Sequence, residues 1–202
     1  MKKYDILSKI KGNAIAIVRG DNADDVVNCC FALYEAGIKV MELPLTTPYV
    51  LDALKTVSMK LTDAVVGAGS VLDSESARIA ILYGAKFIVT PSLDEGAVKV
   101  CHRYGIPVIP GVATPTEAEK ALSMGVDVVK LFPASNFNTS IIKELQAPFP
   151  NLEIVPTGGV NAENFATWLN AGAFACGVGG AITNGIKTKD WELVKLSAKK
   201  FL

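Results

Sequence analysis

One pattern constrains the fold of this chain more than any other: short apolar runs of strand length alternate with amphipathic stretches along nearly its whole length. The apolar runs fall at residues 14–19, 39–45, 64–68, 87–90, 108–111, 128–132, 153–157 and 174–178. Between them lie stretches of helical periodicity, among them 24–36, 75–83, 116–124 and 162–171. Many close on glycine (Gly37, Gly84, Gly105, Gly125, Gly172), the residue that most readily adopts the left-handed turn ending a helix. Thr114-Pro115-Thr116-Glu117 predicts a helix start, with threonine as N-cap, proline at the first helical position and glutamate two residues later. Nearly continuous hydrophobic runs imply strands buried on both faces, as in a parallel sheet. Eight strand–helix units, spaced about two dozen residues apart, predict a single-domain (β/α)8 TIM barrel over residues 1–202. A short helix at 3–10 precedes the first strand. An open doubly wound sheet would place a glycine-rich turn after that strand, where this chain has Arg19-Gly20-Asp21-Asn22.

Composition narrows the function classes. Lys plus Arg equals Asp plus Glu, 20 each, so no net field favours nucleic acid or an anionic membrane. No apolar run has transmembrane length, and the opening residues lack a signal-peptide core. The four cysteines, Cys29, Cys30, Cys101 and Cys176, show no Cys-x-x-Cys spacing and are expected to be reduced and buried. His102 is the only histidine, and a zinc site needs three or four convergent ligands. The expectation is a soluble, cytoplasmic, metal-free protein.

Polar residues interrupt the apolar runs at a few places. Lys130 stands in Asp127-Val128-Val129-Lys130-Leu131-Phe132-Pro133, where burial would push an amine toward its neutral, nucleophilic form. A lysine at a sheet edge or snorkelling to water is the plainer reading. Glu42 stands between Met41 and Leu43, and Arg19 ends the first run. Alternation places Ile15, Ile17 and Arg19 on one face, Val40, Glu42 and Pro44 on another, and Val128, Lys130 and Phe132 on a third. If these faces point into the barrel, an amine, a carboxylate and a guanidinium meet in one pocket at the C-terminal ends of the strands. A buried Glu–Lys pair of purely structural purpose competes with that reading. An amine beside a carboxylate also suits Schiff-base chemistry, in which one group attacks a ketone and the other moves protons. Arg19 has the forked donors to hold a substrate carboxylate. Gly158 and Gly159 follow the seventh run, and Gly179 and Gly180 the eighth. Exposed backbone N–H groups there, and at a helix start over 161–164, predict a phosphate site. Ser70 and Pro91 lie in the loops after the third and fourth runs. Ser70 has the chemistry either to donate to a carboxylate or to cap its loop.

These residues fall in a known order. Val40-Met41-Glu42-Leu43-Pro44-Leu45-Thr46, Gly67-Ala68-Gly69-Ser70-Val71, Val89-Thr90-Pro91, Pro110-Gly111-Val112, Val129-Lys130-Leu131-Phe132-Pro133 and Pro156-Thr157-Gly158-Gly159-Val160 resemble the 2-keto-3-deoxy-6-phosphogluconate (KDPG) / 4-hydroxy-2-oxoglutarate (KHG) aldolase family over essentially the whole chain. The resemblance implies a (β/α)8 class I aldolase, usually a homotrimer, acting through a covalent lysine imine with no metal or other cofactor. It implies Lys130 as the Schiff-base lysine and Glu42 as the acid/base. Arg19 and Ser70 would contact the pyruvyl end, and Pro91, Phe132 and Thr157 would line the pocket. Gly158, Gly159, Gly179 and Gly180 would hold phosphate. The partners are then a 2-keto-3-deoxy acid and pyruvate. Two departures stand out. Thr46 replaces an arginine that contacts the substrate carboxylate in some members, and Gly180 replaces a serine found in many. Thr157 matches the gluconate-type enzymes, leaving 4-hydroxy-2-oxoglutarate and the galactonate epimer as alternative substrates. A barrel that binds a phosphometabolite without turning it over is the remaining alternative.

Overall fold

A computed structural model describes residues 2–202; Met1 lies outside the described residues. The chain begins with helix α1 (Lys3–Ile10), as the sequence predicts. Strands β1 (Ala14–Ile17), β2 (Val40–Pro44), β3 (Val65–Gly69), β4 (Ile88–Val89) and β5 (Val108–Ile109) follow, with helices α2 (Ala23–Ala36), α3 (Val50–Lys60), α4 (Ser74–Leu82) and α5 (Glu95–Tyr104) between them. The second part contains β6 (Gly111–Val112), α6 (Pro115–Ser123), β7 (Val128–Leu131), α7 (Ile141–Gln146), β8 (Glu153–Pro156), α8 (Phe165–Asn170), β9 (Cys176–Val178) and α9 (Trp191–Ala198). All registered strand pairs are parallel.

The strands form two sheets, ordered β5-β4-β3-β2-β1-β9 and β6-β7-β8, rather than the one ring of eight that the sequence predicts. The physical reason for the extra strand is Pro110. It divides the fifth apolar run, because proline has no N–H to give to a ladder. Its carbonyl still accepts from the Lys130 N–H at 2.8 Å. On the other side a single bridge, Thr157 to Gly177, joins β8 to β9.

Alternate strand residues segregate into two cores. Ile15, Val40, Val65, Val89, Ile109, Val128 and Val155 form one cluster with Phe87, Phe174 and Ala175, enclosed by the curled sheet. Helix α1 adds Ile6, Leu7 and Ile10 to that cluster and covers the N-terminal ends of the strands, each side chain worth roughly 1.5–3 kcal/mol when fully buried. The opposite strand faces, with Met41, Leu43, Val66, Val129 and Leu131, pack against the helices.

Helix ends largely follow the local sequence. Thr114 caps α6 in a reciprocal box with Glu117, with Pro115 at the helix start. Asn22, Asp73, Asp94 and Asp190 accept from the backbone N–H three residues on. The helix start read over 161–164 is a capped turn that leads into α8, whose regular part begins at Phe165. The Asn161 side chain accepts from the Glu163 and Asn164 N–H groups, Asn164 accepts from the Asn161 N–H, and the Phe165 N–H donates to the Asn161 carbonyl at 3.0 Å, the reciprocal pattern of a helix N-terminus.

Candidate active site

A cavity of about 350 Å3 opens at the C-terminal ends of the strands. Arg19, Ser70, Pro91, Lys130, Phe132, Thr157, Gly158, Gly159, Gly179 and Gly180, the ten positions singled out in the sequence besides Glu42, all line it. Gly177 and Ala181, which flank the Gly179-Gly180 pair in sequence, belong to the same wall, as do Ile17 and Val160.

Lys130 is delivered by β7, whose register sets it opposite Gly111 on β6 and Val155 on β8. It is 7% exposed, with its Nζ 4.9 Å from the centre of the Phe132 ring. Phe132, two residues on, is 38% exposed because it stands at the cavity mouth. Among the described residues Lys130 takes part in no ion pair, so the amine is neither at a sheet edge nor neutralised by a carboxylate.

Glu42 stands behind the cavity wall rather than in it, and is 2% exposed. It shares a register line with Ile17 on β1 and Gly67 on β3. Burial pushes its carboxyl above the ordinary carboxylate range, opposed by the charges of Lys130 and then Arg19. Lys130 and Arg19 are therefore its electrostatic neighbours, yet among the described residues it forms no direct salt bridge with either. A structural Glu–Lys pair is thus not what this site contains.

Two glycines make space for this arrangement. A Cβ on Gly69 would overlap the Glu42 carboxylate, and one on Gly177 would overlap the Thr157 side chain. Thr157 is 5% exposed and turns its hydroxyl toward the Val155 carbonyl at 3.5 Å. Ser70 adopts a left-handed backbone, φ 52, immediately after Gly69. Such strain in a non-glycine residue costs of order 1–3 kcal/mol and tends to occur at functional sites. Gly158 and Gly159 are left-handed, at φ 94 and 79, and Gly179 and Gly180 face open space.

The family described as "Aldolase: KDPG and KHG aldolase" matches residues 6–196. The chain belongs to that family. Among curated members, the 2-dehydro-3-deoxy-phosphogluconate aldolase of Treponema pallidum is 34% identical over 86% of this chain and 83% of its own. The 2-dehydro-3-deoxy-6-phosphogalactonate aldolase of Escherichia coli is 36% identical over 82% of each chain. Among solved structures of the family, a KDPG aldolase from Legionella pneumophila holds pyruvate, captured at low pH as a covalent carbinolamine. It superposes with a TM-score of 0.91 at 26% identity, over 100% of this chain and 98% of that one.

The remaining predicted features are placed as follows. Cys29, Cys30, Cys101 and Cys176 are free and buried, and burial pushes the Cys29, Cys101 and Cys176 thiols up to about 12. Among the described residues no cluster of three or more His, Cys, Asp or Glu is arranged to hold a metal. None of their helices is long and apolar enough to cross a membrane.

Proposed function

We propose that this member of the KDPG/KHG aldolase family is a lyase that cleaves 2-keto-3-deoxy-6-phosphogluconate to pyruvate and D-glyceraldehyde 3-phosphate, reversibly, through a lysine imine. The observation that carries the reading is a buried, unpaired lysine in the cavity wall with a buried, unpaired carboxylate behind it. The Lys130 amine attacks the C2 ketone to give a carbinolamine, which loses water to form the iminium. Glu42, directly or through one water, takes the C4 hydroxyl proton. The C3–C4 bond breaks, its electron pair moves into the iminium, and the aldehyde leaves. The enamine that remains is protonated at C3 and hydrolysed to pyruvate, restoring the free amine. The iminium polarises the substrate, so the steps need no metal. Arg19 and Ser70 hold the pyruvyl carboxylate, Pro91, Phe132 and Thr157 shape the pocket, and Gly158, Gly159, Gly179 and Gly180 offer backbone N–H groups to the phosphate.

The galactonate epimer is the second reading, favoured by the 36% identity to the Escherichia coli relative. 4-Hydroxy-2-oxoglutarate is the third substrate to compare. Relative kcat/KM on the three separates them. Borohydride reduction with pyruvate followed by peptide mapping tests the mechanism itself. A pyruvyl adduct on Lys130 is the expected result, and its absence from folded protein would overturn the reading.

We further infer that the two sheets are halves of one (β/α)8 barrel forming a single domain. β5 and β6 adjoin across Pro110, and the Thr157–Gly177 bridge links the other seam. A homotrimer is the proposed assembly. Support comes from exposed apolar side chains around α3 and α4, where Tyr49, Met59, Ile79 and Leu82 adjoin Tyr83, a surface type that marks interfaces. Sedimentation equilibrium checks it. Free buried thiols support residence in the cytoplasm.

A further inference from the structure

One hydroxyl stands in a layer that is otherwise apolar. Around β4, Phe87 and Val89 belong to the inner cluster and Ile88 to the helix side. Alternation places Thr90 on the helix side too. Ile88 and its ladder partners Ala68 and Val108 are apolar there, and Thr90 is fully buried. Burying a hydroxyl in such a layer is unfavourable unless it is bonded. The Thr90 hydroxyl donates to the Ser92 carbonyl at 2.5 Å. Valine has nearly the same shape, so that bond is what distinguishes threonine at this position.

The bond shapes the turn Thr90-Pro91-Ser92. The Thr90 N–H donates to the Ile109 carbonyl at 3.3 Å and continues the β4–β5 ladder. Beyond it, among the described residues, no backbone–backbone bond reaches the Pro91 carbonyl or the Ser92 N–H. The Thr90 hydroxyl therefore holds a turn that the backbone itself does not. On its inner side the turn lies against Gly111, where a Cβ would overlap the Pro91 carbonyl. Gly111 is the register partner of Lys130, and each stands two residues past an inward side chain, Ile109 and Val128. The Pro91–Ser92 peptide thus takes the place, beside Lys130, that a side chain at 111 would fill. Pro91 and Lys130 line the same cavity.

We propose that Thr90 is a positioning residue for imine formation: its buried hydroxyl holds the Pro91–Ser92 peptide against Gly111, and that peptide confines the Lys130 side chain to the cavity. The proposal rests on the aldolase reading above. Released from the hydroxyl, the peptide moves off Gly111, which has no side chain to close the gap. Lys130 then gains orientations that point away from the ketone. Attack on a carbonyl is sensitive to such misplacement, about 1 Å being enough to cost 10²-fold.

Timed borohydride quenching with pyruvate at rising concentrations tests this, because it separates the apparent affinity for pyruvate from the maximal rate constant of imine formation. In Thr90→Val that rate constant should fall about ten- to hundredfold, the weight of a misplaced reacting group, with the affinity unchanged. Thr90→Ser keeps the hydroxyl and should stay within about threefold of wild type, since the bond is retained. The melting temperature of Thr90→Val should stay close to the wild-type value, because valine suits the apolar layer and the carbonyl of exposed Ser92 reaches water. A Thr90→Val protein that forms the imine at the wild-type rate constant overturns the proposal, whatever its melting temperature. So does Thr90→Ser slowed as much as Thr90→Val. Wild type that forms no adduct at all sinks the aldolase reading instead, and reductive methylation of Lys130 with formaldehyde and cyanoborohydride then decides the positioning role. Peptide mapping should show Lys130 labelled more slowly in Thr90→Val than in wild type, and equal labelling overturns that role.

Discussion

The two ends of the strands solve opposite problems with one alternation. At the N-terminal end the inward positions carry Ile15, Val40, Val65 and Val128, and α1 covers them with Ile6, Leu7 and Ile10. One or two inward steps along the same strands stand Glu42, Gly67, Gly69 and Lys130. The first end is filled and dry. The second holds an open cavity with a buried amine beside it and a buried carboxylate behind it. Stability and reactivity are thus separated along the strand axis by a few residues, and the reactive end carries the unfavourable terms: a left-handed Ser70 and a carboxyl raised by burial.

The largest expected effect breaks the reactive end alone. Lys130→Ala should abolish turnover and the pyruvate adduct while circular dichroism stays native, because no other amine in the cavity can form the imine. A residual rate within about tenfold of wild type would refute the assignment, given the weight expected of a covalent nucleophile.

Glu42→Gln sharpens the contrast by moving activity and stability in opposite directions. Turnover should fall about 10²–10⁴-fold if the carboxylate is the proton shuttle. In the wild type, kcat/KM should decline as pH drops through the raised Glu42 pKa, since the basic form is then lost. The stability sign is the reverse. A folded pKa above the unfolded one means that ionised Glu42 destabilises the fold at higher pH. The variant should therefore melt above the wild type at pH 8, with the gain vanishing below about pH 4, near the unfolded carboxyl value. An unchanged melting difference across that range would show that burial does not strain this carboxyl.

Phe87→Ala breaks the filled end. Phe87 is fully buried in the inner cluster, and truncation there costs about 3–5 kcal/mol. Chemical denaturation should show that loss while kcat per folded molecule changes little. Gly69→Ala gives the smallest effect and falls on the boundary. Its Cβ overlaps the Glu42 carboxylate, and overpacking costs roughly 1–3 kcal/mol. The measurable outcome is a lower kcat with pyruvate trapping retained, because Lys130 is untouched.

Much of this division was legible in the chain. Strand runs, α1, the box at Thr114 and the polar interruptions Glu42 and Lys130 are local patterns, and alternation assigns each to a face. The split at Pro110 was also readable, since proline cannot donate to a ladder. The reciprocal bonds of Asn161 and Asn164 were legible too, as a capped entry to α8. The seam between the sheets was not, because nothing local marks Thr157 and Gly177 as the bridge between β8 and β9.

By itself the sequence determined which residues alternate inward, where helices begin and end, and that an amine and a carboxylate interrupt apolar strands. It determined these because propensity, capping and period-two alternation act over a few residues. Only the tertiary structure decided that Glu42 stands behind the cavity wall without a salt bridge to Lys130, and that Gly69 and Gly177 make room for Glu42 and Thr157. Those outcomes depend on register and on contacts between different strands, whose distances no local pattern encodes.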